Sequence, residues 1–308
     1  MRQTEPTEHA PGLSLGADAF KLLLRLLRRK KLYSSVQGLM DGIAQVRRAG
    51  PAKPSGAMRK RLHVHTEQFA GCEVFTLRPK VGASHETLLY LHGGAYVRPI
   101  TSFHWAFLQW LVNNRACTLV VPLYPLAPES QCLATVQAVR AVHDLMASRH
   151  GQINAFLGDS AGAGLCLALC QDLAQSRAKL PGRMVLITPF VDATLRHPGI
   201  AATDAKDGML GPEGLREAGR LYAGPLGLED PLVSPVRAKL HGLPPTQVHI
   251  ATDDILSHDA LIFVDKARAS GSSVDLHIGH GLMHAWPLLP MPEARTSREA
   301  MSAFLSRP

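Results

Sequence analysis

Nowhere in this chain do roughly 20 apolar residues follow one another, the length a membrane-spanning helix needs. The first nineteen residues are polar, and the run Leu22–Leu27 is broken by Arg25, which is not the pattern of a secretory signal. The expectation is a cytoplasmic protein. Cysteine is scarce: five residues (Cys72, Cys117, Cys132, Cys166 and Cys170), odd in number and scattered, with no pair at metal-finger spacing. Cys166 and Cys170 stand four apart in a segment that reads as a buried helix, where a thiol serves as small apolar packing. The net charge is +8, yet no single basic tract with interleaved aromatics exists, which argues against nucleic acid as a partner. The densest group, Arg25, Arg28, Arg29, Lys30 and Lys31, lies inside a leucine-rich segment and reads as the solvated face of an amphipathic helix. Weak contact with a membrane surface is the sharper alternative for it. What is present is an ordinary globular composition: 308 residues, 46% hydrophobic and 19% charged, enough for a core that can bury a catalytic pocket.

Residues 1 to about 17 read as a loose start. Helical periodicity covers Phe20–Tyr33 and Val36–Arg48, and the stretch Gly50-Pro51-Ala52-Lys53-Pro54-Ser55-Gly56 then breaks the pattern. Beyond it, short apolar runs alternate with helical ones. Strands are expected at Glu73–Leu77, Thr87–Leu91, Thr118–Leu123, Asn154–Leu157, Met184–Thr188, Gln247–Ala251 and Val274–Ile278. Helices are expected at Ser102–Asn113, Ala134–Ser148, Ala161–Ser176, Pro212–Tyr222, Asp259–Ala269 and Glu293–Leu305. Such alternation implies an α/β fold, a mostly parallel central sheet with helices on both faces, and residues 62–77 read as antiparallel edge structure. Ligands of such sheets bind where the chain leaves the carboxyl ends of the strands. Domain organisation is expected as a helical segment over residues 1–55 and a catalytic domain over 56–308.

One of those ends carries Gly158-Asp159-Ser160-Ala161-Gly162, directly after Asn154–Leu157 and before an apolar helix. In this strand–turn–helix context G-x-S-x-G presents a serine nucleophile. The turn must be tight enough to lift the hydroxyl above the sheet, and side chains two residues either side of it would strike neighbouring backbone. Ala161 offers an N–H at a helix start, where peptide dipoles favour a developing oxyanion. A second donor must come from the loop after an earlier strand. There His92-Gly93-Gly94-Ala95-Tyr96 follows Leu88–Leu91, and the paired glycines Gly93 and Gly94 let bare N–H groups approach. His92, ahead of the glycines, reads as a loop-ordering residue.

His92-Gly93-Gly94 followed by Gly158-Asp159-Ser160-Ala161-Gly162 resembles the hormone-sensitive-lipase-like branch of the α/β hydrolases. Tyr124-Pro125-Leu126-Ala127-Pro128-Glu129 resembles that family's Tyr-Arg-Leu-Ala-Pro-Glu element, with Pro125 replacing Arg, and the likeness runs from about Leu88 to the C-terminus. Ala95 departs from the pattern, where a third glycine is usual; it still supplies an N–H and narrows the site. The resemblance implies an α/β-hydrolase fold and a cofactor-independent, metal-free esterase, with relatives that act on acetyl esters and lactones. It also implies a cap of N-terminal helices, here roughly Phe20–Arg48, helped by a segment within 200–225. Leu22, Leu23, Leu26 and Leu27 are expected to cover the pocket mouth and the basic residues to face water.

The base must be a histidine that accepts and returns a proton near neutral pH. In an α/β hydrolase the chain order is serine, acid, histidine. His284, on the loop after Val274–Ile278 and before Ala285-Trp286, matches the family's position; His280 on the same loop is the competitor. The acid leaves the preceding strand, and the family's Asp-Pro-Leu-x-x-Asp aligns with Asp254-Ile255-Leu256-Ser257-His258-Asp259. Asp254 is the choice, Asp253 the rival one residue away, and Asp259 an expected helix N-cap. The reading is a serine carboxylesterase for small acyl esters, using Ser160, His284 and Asp254 with N–H groups of Gly93, Gly94 and Ala161. Lactone or amide hydrolysis on the same triad, and a catalytically silent ligand-binding relative, are the alternatives. Association into oligomers is left open.

Overall fold

Four consecutive apolar residues, Leu88–Leu91, cannot alternate between core and solvent, and all four are buried. Leu89 and Leu91 join a hydrophobic cluster on one face of the sheet, while Leu88 and Tyr90 join another on the opposite face. That is the requirement of a strand covered by helices on both sides. The structure, a computed structural model, describes residues 5–9, 12–82 and 85–307.

In chain order its elements begin with β1 (Thr7–His9), α1 (Leu15–Leu26), α2 (Val36–Ala49), α3 (Gly56–Arg61), β2 (Leu62–Phe69), β3 (Cys72–Pro79) and β4 (Thr87–Leu91). There follow α4 (Ser102–Arg115), β5 (Thr118–Leu123), α5 (Cys132–His150), β6 (Ala155–Asp159), α6 (Ala161–Gln175) and β7 (Arg183–Ile187). The remainder is α7 (Ile200–Asp204), α8 (Pro212–Ala223), β8 (Thr246–Ala251), α9 (Ser257–Ala269), β9 (Val274–Gly279) and α10 (Pro292–Leu305), with short 3-10 turns between. The sheet runs β1-β9-β8-β7-β6-β4-β5-β3-β2. Its pairs are parallel except β2 with β3 and β3 with β5, so the edge structure expected at 62–77 is an antiparallel pair of strands. The carboxyl ends of β4, β6, β7, β8 and β9 therefore lie side by side along one rim.

The N-terminal expectations need correction. Of the loose start, residues 1–4 and 10–11 lie outside the described residues, but Thr7–His9 pairs in parallel with His277–Gly279 and extends the sheet. The first helix is Leu15–Leu26, not Phe20–Tyr33. Ser14 caps it, its hydroxyl accepting the Ala17 N–H, and the chain leaves it through Arg28 at φ 48°. Ser14 is in turn held by Glu293, which accepts both its N–H (2.7 Å) and its hydroxyl (3.0 Å). Leu22, Leu23, Leu26 and Leu27 are exposed, and the buried residues of this helix are Ala17 and Leu24. The expected leucine cover over the pocket is absent because tertiary contacts select the helix's other face. Asp259 is not an N-cap either: α9 begins at Ser257, so Asp259 lies within its first turn, buried.

Candidate active site

β6 delivers Ser160 at φ 52° and ψ −119°, a conformation that costs a side-chain-bearing residue on the order of 1–3 kcal/mol. Three backbone hydrogen bonds hold it there. The Ser160 N–H donates to Ile187 O (2.8 Å), and its carbonyl accepts from Gly164 (3.2 Å) and Phe190 (3.0 Å). The flanking glycines are steric necessities, since a Cβ on Gly158 would stand 2.6 Å from the backbone of Gly162. Ala161 opens the 15-residue helix α6, whose dipole is positive at this end.

Asp159, the residue before the serine, binds the His92–Tyr96 loop to the Ser160 turn. Its Oδ1 accepts the Gly93 N–H (2.9 Å) and the Tyr90 hydroxyl, and its Oδ2 faces His104 Nε2 at 3.2 Å. The Thr101 N–H donates to His104 Nδ1 (3.1 Å), which leaves Nε2 as the donor toward Asp159. Burial alone would raise the Asp159 pKa. The adjacent His104 and the hydrogen bonds from His104, Tyr90 and Gly93 outweigh it and hold the carboxylate below its usual range. Sequence reasoning found no role for His104 or Asp159, because a residue on α4 meets one on β6 only after folding.

The consequence falls on Gly93. Its N–H, expected to face an oxyanion, is taken by Asp159. Among the described residues, the N–H groups of Gly94, Ala95 and Ala161 have no acceptor. Gly94 sits at φ 126°, a region that disfavours side chains, and the loop continues through Ala95 and Tyr96 at φ 53° and 62°. His92 orders this loop as expected: its Nδ1 donates to Gly93 O (2.7 Å), and its ring stacks on Tyr124 at 4.4 Å. Burial, with His104 nearby, pushes its pKa down to about 4, so it stays neutral.

On the neighbouring strand ends, Asp254 is fully buried, and its Oδ2 accepts the Nδ1–H of His284 at 2.8 Å. Its Oδ1 accepts the Leu256 N–H at 2.9 Å. Asp253 points elsewhere and pairs with Lys21 at 2.7 Å. His280 is half-buried, on the far side of the same loop from the Asp254 pair, and lies 3.7 Å from Glu8. The loop bearing His284 is tied to the end of β7, where the Ala285 N–H donates to Thr188 Oγ1 (3.2 Å). Since Ile187 holds Ser160, two adjacent residues secure both the Ser160 turn and the His284 loop.

A second carboxylate, unforeseen from sequence, lies close to Asp254. Asp207 accepts the N–H groups of Met209 (2.8 Å) and Leu210 (2.9 Å) on Oδ1 and of Ile255 (3.1 Å) on Oδ2. Burial and the nearby charge of Asp254 raise its pKa to about 6. Burial opposes charging His284, but Asp254, by charge and hydrogen bond, with Asp207 and Asp159 behind it, raises the imidazole pKa above its ordinary value. Ser160 is 5% exposed and His284 6%, so reacting groups here meet little water. The positive end of α6, unpaired N–H groups, a strained serine and a buried Asp–His pair, all carried on one rim of the sheet, are the parts from which an acyl-transfer site can be built.

Comparison with known proteins agrees. Residues 88–288 match the family described as the alpha/beta hydrolase fold. The chain is 31% identical over 223 residues to a triacylglycerol lipase of Mycobacterium tuberculosis, a match covering 72% of this chain and 46% of that protein. It thus spans about half the length of that lipase. It is 30% identical over 226 residues to an acetyl-hydrolase of Streptomyces hygroscopicus, covering 71% of this chain and 75% of the relative. A crystal structure of a hormone-sensitive lipase from a metagenome library superposes with a TM-score of 0.82 at 26% identity, covering 96% of this chain and 99% of that one. The chain belongs to the α/β-hydrolase fold family, in its hormone-sensitive-lipase-like esterase branch.

Proposed function

We propose that this chain is a serine carboxylesterase that hydrolyses small or short-chain acyl esters through an acyl-Ser160 intermediate. Ser160 Oγ attacks the ester carbonyl carbon as its proton passes to His284 Nε2. Asp254, accepting the Nδ1–H, keeps that nitrogen free to act as base and stabilises the imidazolium. The tetrahedral oxyanion takes N–H groups of Gly94, Ala95 and Ala161. Gly93, spent on Asp159, holds the loop rather than the oxyanion. His284 then returns its proton to the leaving alcohol. Water, giving its proton to the same nitrogen, attacks the acyl-enzyme and releases the acid, and Ser160 recovers its hydrogen. The observation that carries this reading is the buried 2.8 Å Asp254–His284 pair, with the histidine loop and the serine turn secured to neighbouring residues of one strand end.

The acyl preference follows from the cap, which we assign to α2, α8 and the turn between α1 and α2 rather than to the leucines of α1. The Gly214 N–H of α8 donates to Tyr33 O at 2.9 Å, and Tyr33, Leu39, Leu215 and Tyr222 are buried together in one cluster. An open apolar groove would reward each added methylene by about 0.8 kcal/mol. A closed one rewards the first few and excludes the rest. With p-nitrophenyl acetate, butyrate, octanoate and laurate, kcat/KM is expected to peak among the short acyl groups and fall beyond them. Best activity on emulsified long-chain triglyceride would contradict the reading.

A further inference from the structure

The apolar stripe of α1 faces away from the protein. Leu15, Leu22 and Leu26, at i, i+7 and i+11, share one face of the helix, and they are 90%, 57% and 71% exposed. Leu23 and Leu27 flank them and are exposed as well. Scattered apolar residues on a surface are ordinary, but a continuous leucine stripe turned outward marks a surface that something covers. Beside it, the chain turning at Arg28 forms a recess of about 400 Å³ lined by Leu24, Arg25, Arg28, Lys31, Lys206 and Asp207. Lys30, on the same rim, is neutralised by Asp204 at 2.7 Å. Among the described residues, Arg25, Arg28, Lys31 and Lys206 make no ion pair.

We propose that this face docks on an anionic lipid surface, the leucines entering the acyl boundary and the basic recess taking lipid phosphate headgroups. A leucine face bordered by unpaired Arg and Lys is the chemistry that lies in such an interface. A second copy of the chain fits less well. A two-fold contact through this face would bring one basic recess beside another, in a protein that already carries a net charge of +8. A free phosphate would fill the recess and leave the leucines in water. Docking here also orients the site. Lys21 on α1 binds Asp253 and donates to Gly281 O (2.8 Å), so α1 is anchored to the two loops that carry Asp254 and His284.

The proposal does not depend on the ester chemistry, and the full-length Ser160→Ala protein, which leaves vesicle lipids intact, tests it. Co-sedimentation is compared on phosphatidylglycerol–phosphatidylcholine vesicles and on pure phosphatidylcholine vesicles, at low and high salt. Binding is expected to be about tenfold or more tighter on the anionic vesicles and to weaken with salt. Leu22→Ser with Leu26→Ser, and separately Arg28→Gln with Lys31→Gln, are each expected to cost about tenfold in vesicle affinity. In the Ser160-containing chain the leucine pair, which lies outside the cap, is expected to leave p-nitrophenyl acetate hydrolysis unchanged. Equal binding to both vesicles would overturn the proposal, as would undiminished binding by the leucine variant. So would an absence of vesicle binding, whether the leucine face then proves to hold a dimer by sedimentation or the recess proves to take inorganic phosphate alone.

Discussion

At the scale of single residues, Asp253 and Asp254 are adjacent carboxylates with opposite surroundings. Asp254 is fully buried against His284, whereas Asp253 is a partly exposed partner of Lys21. Asp254→Asn removes the charge that fixes the histidine tautomer and is expected to lower kcat on the order of 10⁴-fold. Asp253→Asn is expected to change kcat less than a few-fold, because it breaks only an ion pair near the surface. Equal losses on one substrate would show the acid to be misassigned. Asp207 touches the acid's neighbour rather than the reacting atoms, so it is a positioning residue with its own signature. His284 works as a base only when neutral, and its raised pKa places the acidic limb of kcat/KM above the ordinary imidazole value of about 6.5. Asp207→Asn removes one of the negative charges that raise it, so the limb is expected to move to lower pH; an unmoved limb would leave Asp207 with a purely structural part. The strand ends that carry Ser160, Asp254 and His284 are legible in the sequence because an apolar run precedes each of them. Asp207 is not: Lys206-Asp207-Gly208 follows no strand, and its bond to Ile255 spans the fold. Nor is the diversion of the Gly93 N–H, since it depends on where Asp159 points.

At the scale of elements, the central strands and the helices after β3 are readable from apolar runs and turn residues, while the N-terminal segment is not. Leucine periodicity at 20–33 marks an amphipathic helix but cannot say which face the protein covers. Here Ser14, through its cap and its bonds to Glu293, and Lys21, through Asp253, turn the leucines outward. β1 is three residues long with no apolar pattern, and only its pairing with β9 reveals it. The junction of α8 with the turn at Tyr33 has a sharper requirement. A Cβ at Gly214 would stand 2.6 Å from Tyr33 Cα and 2.8 Å from its carbonyl carbon. Gly214→Ala is therefore expected to destabilise by about 1–3 kcal/mol, read as a fall in the midpoint of thermal unfolding. An unchanged midpoint would mean that the cap elements are not packed as described.

At the scale of the whole molecule, the sheet order β9-β8-β7-β6-β4 brings the loops that carry His284, Asp254, Ser160 and Gly94 to one rim. Parallel strands force this, because every one of them ends on the same side. Strand and helix alternate along the chain with a regularity that makes this architecture legible in the amino-acid sequence itself. Acylation of Ser160 during turnover is put to the test by intact-protein and peptide mass spectrometry after treatment with a fluorophosphonate. One adduct per chain is expected, on the peptide containing Ser160, with loss of ester hydrolysis in proportion to labelling. Ser160→Ala should take no label and lose turnover on the order of a millionfold while keeping its fold. Label on another residue, or ester hydrolysis that survives full labelling of Ser160, would contradict it.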